Sequence, residues 1–204
     1  MTQRMSASGV SDPFSVFLNI PYDVRFGKLY LAYIAGLSAF GLVPRATVEI
    51  PGGDRRLNRI FDLIKTCRYS VHDLSRVQLD HHPPPTPRFN MPFELGLAIA
   101  WTNLQKQADS WFVFETMKRR LQKSLSDLDG TDVYVHDGTV SGVFRELTNA
   151  FVRNKRQPTM KQMQAVYEAL HRAIPRIKRD AGARNLFSAR VFKELIIISR
   201  VSLT

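Results

Sequence analysis

Cysteine is almost missing from this chain: Cys67 is the single one among 204 residues. One cysteine excludes an intrachain disulfide framework and a zinc site built on several thiolates. Long apolar runs are missing too. No stretch approaches the roughly 20 apolar residues that span a bilayer, so no membrane partner is expected. Met1 to Asp12 carries Ser and Gly but no apolar core of a signal peptide. These absences point to the cytoplasm. No Gly-rich phosphate loop is present, because Pro51-Gly52-Gly53-Asp54 is too short for one. Ser75 and Ser141 lack the context of a nucleophile elbow, which argues against a hydrolase triad. Asp80-His81-His82 lies in a Pro-rich loop with no clear third ligand, so no metal is expected. Acid is scarce near the end of the chain. Residues 145–204 hold 13 of the 29 basic residues and only 4 of the 18 acidic ones. The basic quarter reads first as a solvated helical face. Nucleic acid or an acidic partner is the alternative, and no nucleic-acid signature accompanies the charge.

What is present is apolar material in alternating patterns. At 44% hydrophobic residues the chain can bury a sizeable core. Phe14 to Ile20 reads as a buried strand between Pro13 and Pro21. Phe26 to Phe40 has helical spacing and stops at Gly41. Val43 to Ile50 is a second strand. Asp54 is placed to cap a helix striped by Leu57, Ile60, Phe61 and Ile64. Tyr69 to His72 is a third strand, followed by a long loop with Pro83, Pro84, Pro85 and Pro87. A helix then runs from Asn90 to about Gln107. Ser110 to Phe114 is a fourth strand, and a helix carrying Met117, Leu121 and Leu125 follows. Asp132 to Val135 is a fifth strand, and His136-Asp137-Gly138 turns into a helix from Ser141 to Val152. Strands alternating with helices imply parallel pairing. The fold class expected is α/β, a flavodoxin-like five-stranded parallel sheet of order 2-1-3-4-5 with a C-terminal helical extension. The chain divides as a flexible start over 1–12, an α/β domain over 13–153 and a basic helical extension over 154–204. In the extension, Met160, Met163, Tyr167, Leu170, Ile174 and Ile177 form an apolar seam, expected to pack on the same domain. A homo-oligomer through this seam is the alternative. Pro175 is expected to kink or end that helix. Val191 to Val201 suits a last helix or an added strand.

Ligands of such sheets bind beyond the carboxyl ends of the strands, near the switch between strands 1 and 3. That rule selects the candidate residues. Asn19 to Asp23 follows strand 1, Asp73 closes strand 3, and Glu94 opens the next helix, with Asn90 placed to cap it. Glu94 is expected in the first turn, where an acid also complements the helix dipole. Two carboxylates in one crevice, Glu94 and Asp73, suit cleavage of a glycosidic bond: one faces the cationic carbon, and the other positions a hydroxyl or proton. Asp73 also fits a turn that caps its own loop. Arg25 and Arg45 are candidates to meet a phosphate.

Three stretches carry a resemblance. Strand 1 ends as Phe17-Leu18-Asn19-Ile20-Pro21-Tyr22-Asp23, and strand 3 as Asp73-Leu74-Ser75. The helix begins Met91-Pro92-Phe93-Glu94-Leu95-Gly96-Leu97-Ala98. Over roughly Phe14 to Trp111 this resembles the nucleoside 2-deoxyribosyltransferase-like and TIR-like superfamily. The resemblance implies a flavodoxin-like fold with Glu94 as the catalytic residue for an N-glycosidic bond. Asp73 would be the acid that contacts the ribose, and Tyr22 the aromatic after strand 1. Asn19, Ser75 and Asn90 join Tyr22 as expected substrate contacts. The substrate would be a nucleoside, nucleotide or NAD, with no separate cofactor, in an enzyme of N-glycosidase, NAD-nucleosidase or deoxyribosyltransferase type. A role as a bacterial defence effector is also implied. The chain departs from the transferase pattern at Arg88, Phe89, Asn90 and Met91, where a second Asp and small residues are usual. The long loop from Ser75 to Arg88 suggests a lid or a partner surface. The other reading of the chain is a nucleotide-sensing or protein-interaction module on the same fold, with Glu94 structural.

Overall fold

A computed structural model describes residues 11–49, 55–77, 79–80, 83–106 and 110–202. Ile50, the Asp54 cap, the His81-His82 pair and Gln107 lie outside these residues. The chain runs β1 (Asp12–Asn19), α1 (Gly27–Ala39), β2 (Val43–Ala46), α2 (Arg56–Thr66), β3 (Cys67–Asp73), then the short β4 (Leu79–Asp80) and β5 (Thr86–Pro87). It continues with α3 (Asn90–Leu104), β6 (Trp111–Glu115), α4 (Arg120–Ser124), β7 (Val133–Val135), α5 (Val140–Ala150), α6 (Met160–Ala181) and α7 (Ala189–Val201). Five strands form one parallel sheet of order β2-β1-β3-β6-β7. This is the flavodoxin-like α/β arrangement. β4 and β5 pair as an antiparallel ribbon inside the Pro-rich loop.

Alternation along each strand decides the two faces. Val16 and Leu18 of β1, Val71 of β3 and Phe114 of β6 point to one side, into a core shared with α1, α5, α6 and α7. Phe17 points to the other, against Ile60, Leu63 and Ile64 of α2 and Ala98 of α3, and Cys67 joins this cluster at the α2–β3 junction. Leu74, Met91, Leu95, Val113 and Leu121 fill the remaining corner.

Helix α1 is apolar on every side, and only Lys28 among its residues escapes burial. A helix with that pattern must be covered all round. The sheet and α5 cover part of it; α6 and α7 cover the rest. The contact with α7 includes a buried hydrogen bond between the hydroxyls of Ser38 and Ser199 at 2.8 Å. The basic C-terminal quarter is therefore a further helical layer over α1, with apolar inner faces and cations outside.

Helix α6 starts with a capping box. Thr159 accepts from the Gln162 N–H, and the Gln162 side chain accepts from the Thr159 N–H. It ends at Gly182, whose φ of 60° closes the helix in the left-handed region. Pro175 does not end it: α6 continues to Ala181. The proline lies on the exposed side, so water can reach the carbonyl it leaves free. Burial of Leu170 and Ile177 holds the helix on both sides of it. The seam is graded. Met163, Leu170 and Ile177 are buried, Tyr167 and Ile174 are half-buried, and Met160 is exposed. Val191 to Val201 is helical, with Val191, Phe192 and Leu195 buried. Among the described residues no helix is long and apolar enough to cross a membrane.

Truncating Leu170 to Ala should cost about 3 kcal/mol, because its cavity opens between α6 and α1. Met160→Ala should move stability by less than about 0.5 kcal/mol. Urea unfolding of both variants checks the pair.

Candidate functional site

Helix α3 begins one residue earlier than a cap at Asn90 allows. Asn90 is its first helical residue, and Phe89 occupies the cap position without a side-chain hydrogen bond. The Phe89 carbonyl accepts from the Phe93 N–H at 3.0 Å. Pro92 falls in the first turn, where its missing N–H has no intrahelical partner to lose. Glu94 then lies beyond the first turn, which holds no acid. An acid complements the helix dipole chiefly from the first turn, so the dipole gives little reason for a carboxylate here.

Three acidic side chains are buried among the described residues: Asp73, Glu94 and Glu115. Their surroundings differ sharply. Glu115 accepts from the Thr116 N–H at 2.6 Å and from the Arg120 Nε at 2.7 Å, with Arg120 Nη2 as a third donor. Asp73 accepts from the Tyr33 hydroxyl at 2.7 Å and the Ser75 N–H at 2.8 Å, and lies 3.0 Å from His136 Nε2. Glu94 receives no hydrogen bond from any described residue, although it is only 3% exposed. Burial pushes its carboxyl up to about 7, and the positive charge of Arg56 pulls the other way.

Glu94 faces a pocket of about 370 Å³ at the carboxyl end of β1. Asn19, Tyr22, Asn90, Arg56 and Arg88 line it, together with the backbone turn through Ile20 and Pro21. This is the crevice beside the β1–β3 switch of the sheet. Asn19 is held on two sides. Its Nδ2 donates to the Met91 carbonyl at 2.9 Å and lies 2.9 Å from His72 Nδ1. An amide nitrogen only donates, so His72 Nδ1 accepts and the ring proton sits on Nε2, facing Ser70 Oγ at 2.9 Å. Burial drives the His72 pKa down to about 3, so this ring stays neutral. Asn19 thereby ties the tip of β1 to the start of α3 and fixes where Glu94 enters the pocket. Tyr22 packs edge-on against Tyr30 and tilted against Phe187, which leads into α7. Burial raises its phenol pKa, so it remains a neutral hydroxyl. Its OH reaches the Leu18 carbonyl at 3.3 Å.

Asp73 and Ser75 are not among the residues lining this pocket. They belong to a buried cluster with Tyr33 and His136. A serine, a histidine and an aspartate in contact invite comparison with a hydrolase triad. The geometry is wrong for one. Ser75 Oγ at 3.1 Å and Asp73 Oδ2 at 3.0 Å both face the same imidazole nitrogen, Nε2. The other, Nδ1, accepts from the Gly138 N–H at 3.2 Å. A relay needs the serine and the carboxylate on opposite nitrogens.

The rim is held by Asp23. One carboxylate oxygen caps the turn before α1 by accepting from the Phe26 N–H at 3.1 Å. The other meets Arg76 Nε at 3.2 Å and Arg88 Nη1 at 3.5 Å. Asp23 thus joins the loops after β1, after β3 and before α3. Of the arginines proposed for phosphate, Arg45 is engaged with Glu49 at 2.8 Å and neither it nor Arg25 lines the pocket. Arg56 and Arg88 line the pocket instead, which the sequence pattern did not indicate. Arg88 stands two residues before α3, a faint clue; Arg56 opens α2 and is brought in by packing alone.

No protein-family model matches the sequence, and no curated protein matches it.

Two stability outcomes follow from the buried acids. Glu94 titrates near 4.5 when unfolded and near 7 when folded. The folded state holds the proton more tightly, so its contribution to stability is complete below about 4.5 and is lost as pH rises through 7. Glu94→Gln removes that loss. The variant should exceed wild type by up to about 3 kcal/mol at pH 8, with the gap closing toward pH 4. Melts across this range check the sign. Asp73→Asn should act oppositely, costing roughly 3 kcal/mol near neutral pH by disrupting bonds to Tyr33 and His136. Denaturant midpoints at pH 7 test it.

Proposed function

We propose that the pocket around Glu94 cleaves or transfers the N-glycosidic bond of a nucleoside, nucleotide or NAD. One observation carries the reading: Glu94 is a buried carboxylate with no donor from the described protein, and it faces a polar pocket. An uncompensated charge in such a place costs stability and calls for a cationic or electron-poor partner. The anomeric carbon of a ribosyl group becomes that partner as its base departs. In the reading proposed, the ionised carboxylate attacks or shields this carbon while the C–N bond breaks and the electron pair leaves with the base. Water or an acceptor hydroxyl then completes hydrolysis or transfer. Asn90 and Tyr22 supply hydrogen-bonding groups for the sugar. Arg56 and Arg88 suit a phosphate or pyrophosphate at the rim. The resemblance of the Glu94 helix to the deoxyribosyltransferase-like and TIR-like group supports the same chemistry.

A second reading has its own observation. Asp73, the other acid expected in the site, is consumed by Tyr33, Ser75 and His136, which leaves one carboxylate among the described residues facing the pocket. A single carboxylate beside two arginines also suits a sensing module that binds a nucleotide without cleaving it.

Base release from NAD and a panel of nucleosides and nucleotides separates the two. Wild type should release base, and Glu94→Gln should lose at least about a hundredfold in rate at equal folded concentration. The rate should rise with pH through about 7, as Glu94 ionises. Equal rates in the two proteins reject Glu94 as the catalytic residue. Binding without any base release favours the sensing module.

A further inference from the structure

A second cavity lies at the opposite end of the sheet, where the strands begin. Its volume is about 380 Å³, and it shares no residue with the pocket around Glu94. Its walls are aromatic. Tyr69 of β3, Phe112 of β6 and Tyr134 of β7 come from three neighbouring strands, and Phe151 closes the end of α5. The Phe112 and Phe151 rings lie 4.7 Å apart, and Tyr69 meets Phe151 edge-on at 5.4 Å. Tyr69, Phe112 and Tyr134 remain only half-buried, so ring surface faces the cavity.

The polar groups there are mostly basic or amide. Arg68 and Arg153 line the cavity with Asn149 and Asn154, against one carboxylate, Asp132. Arg68 stands over the Tyr69 ring, 5.0 Å from its centroid. Its Nη1 is buried and has no hydrogen-bond partner among the described residues. A guanidinium nitrogen shut away from water without an acceptor costs free energy, and native structures seldom leave one so. A guanidinium fork favours a carboxylate or a phosphate as its partner.

We propose that this cavity is a second ligand site, for a small molecule that joins a planar ring to an anionic group. The ring would pack on Tyr69, Phe112 and Tyr134, and the anion would meet Arg68 where it lines the cavity. The volume suits a molecule of mononucleotide size. The ring-and-anion chemistry has two sources, a nucleotide or an aromatic carboxylate. Because the two sites lie at opposite ends of the strands, the inference stands whether or not Glu94 is catalytic.

Amide spectra of the ¹⁵N-labelled full chain test it, with 5′-AMP, 4-hydroxybenzoate, adenosine and inorganic phosphate as probes. Either 5′-AMP or 4-hydroxybenzoate should shift the signals of Tyr69, Phe112 and the segment from Ala150 to Asn154, and which one does so names the source. Adenosine and inorganic phosphate, each with half the chemistry, should bind about tenfold weaker or worse. Arg68→Gln should weaken binding by a similar factor, and Arg68→Lys, which keeps the charge and loses the fork, should weaken it with the fold retained. The same shifts should persist in Glu94→Gln. Shifts absent with both ring-bearing anions overturn the site, as do shifts confined to Asn19–Tyr22 and Arg88–Glu94. Adenosine binding as tightly as 5′-AMP, or unchanged affinity in the Arg68 variants, removes the role given to the anion.

Discussion

A carboxylate sealed from water must have donors around it, and much of the molecule is arranged to give Asp73 its own. The group sits at the tip of the central strand β3 with no exposed surface. Its donors come from different places: Tyr33 from α1, His136 from the end of β7, and the Ser75 N–H from its own loop. Satisfying this one group sets α1, β3 and the β7–α5 turn in fixed relation. The turn is tight enough to exclude a side chain at Gly142, where a Cβ would lie 1.9 Å from the His136 carbonyl oxygen. The same end of the sheet carries a parallel device on its other face, where Asn19 links His72 to the Met91 carbonyl.

Against that background Glu94 is an exception of kind. Asp73 and Glu115 are as deeply buried and have their charge matched by fixed donors. Glu94 has the burial and no donor among the described residues, and burial raises its proton affinity. Such a group weakens the folded state near neutral pH, so its retention needs a reason outside stability. The walls around it are tied to the backbone and to the helical layer by several contacts. Asn19 and Tyr22 are pinned to the backbone of Met91 and Leu18. Phe187, brought in by the helical layer that covers α1, packs on Tyr22. The basic C-terminal quarter therefore supports the pocket mechanically, without a cation of its own among the lining residues.

The sheet was legible because its signals are local. Apolar runs such as Val16 to Leu18 and stops such as Gly41 mark elements wherever they occur, and parallel order follows from their alternation with helices. The registers of helix starts were less legible. Asn90 has the chemistry of a cap, but Phe89 takes the cap position and moves Glu94 past the first turn. Pro175 carries a strong local signal for a helix end, and burial of Leu170 and Ile177 overrides it. Asp73 was placed at the right strand tip, yet nothing near it in sequence shows that Tyr33 and His136 would claim its oxygens. Those partners stand 40 residues before it and 63 after it. Arg56 and Arg88 were hidden for the same reason: their meeting at one rim is a product of tertiary packing.

Helix α1 has a consequence for the order in which the chain can acquire its structure. It is made second, directly after β1, yet its apolar circumference is not covered until α5, α6 and α7 have been synthesised. A nascent chain that has emerged only as far as β7 holds a strongly apolar helix with one flank unprotected. Such a species is prone to stick to its neighbours. The late helices act as its seal.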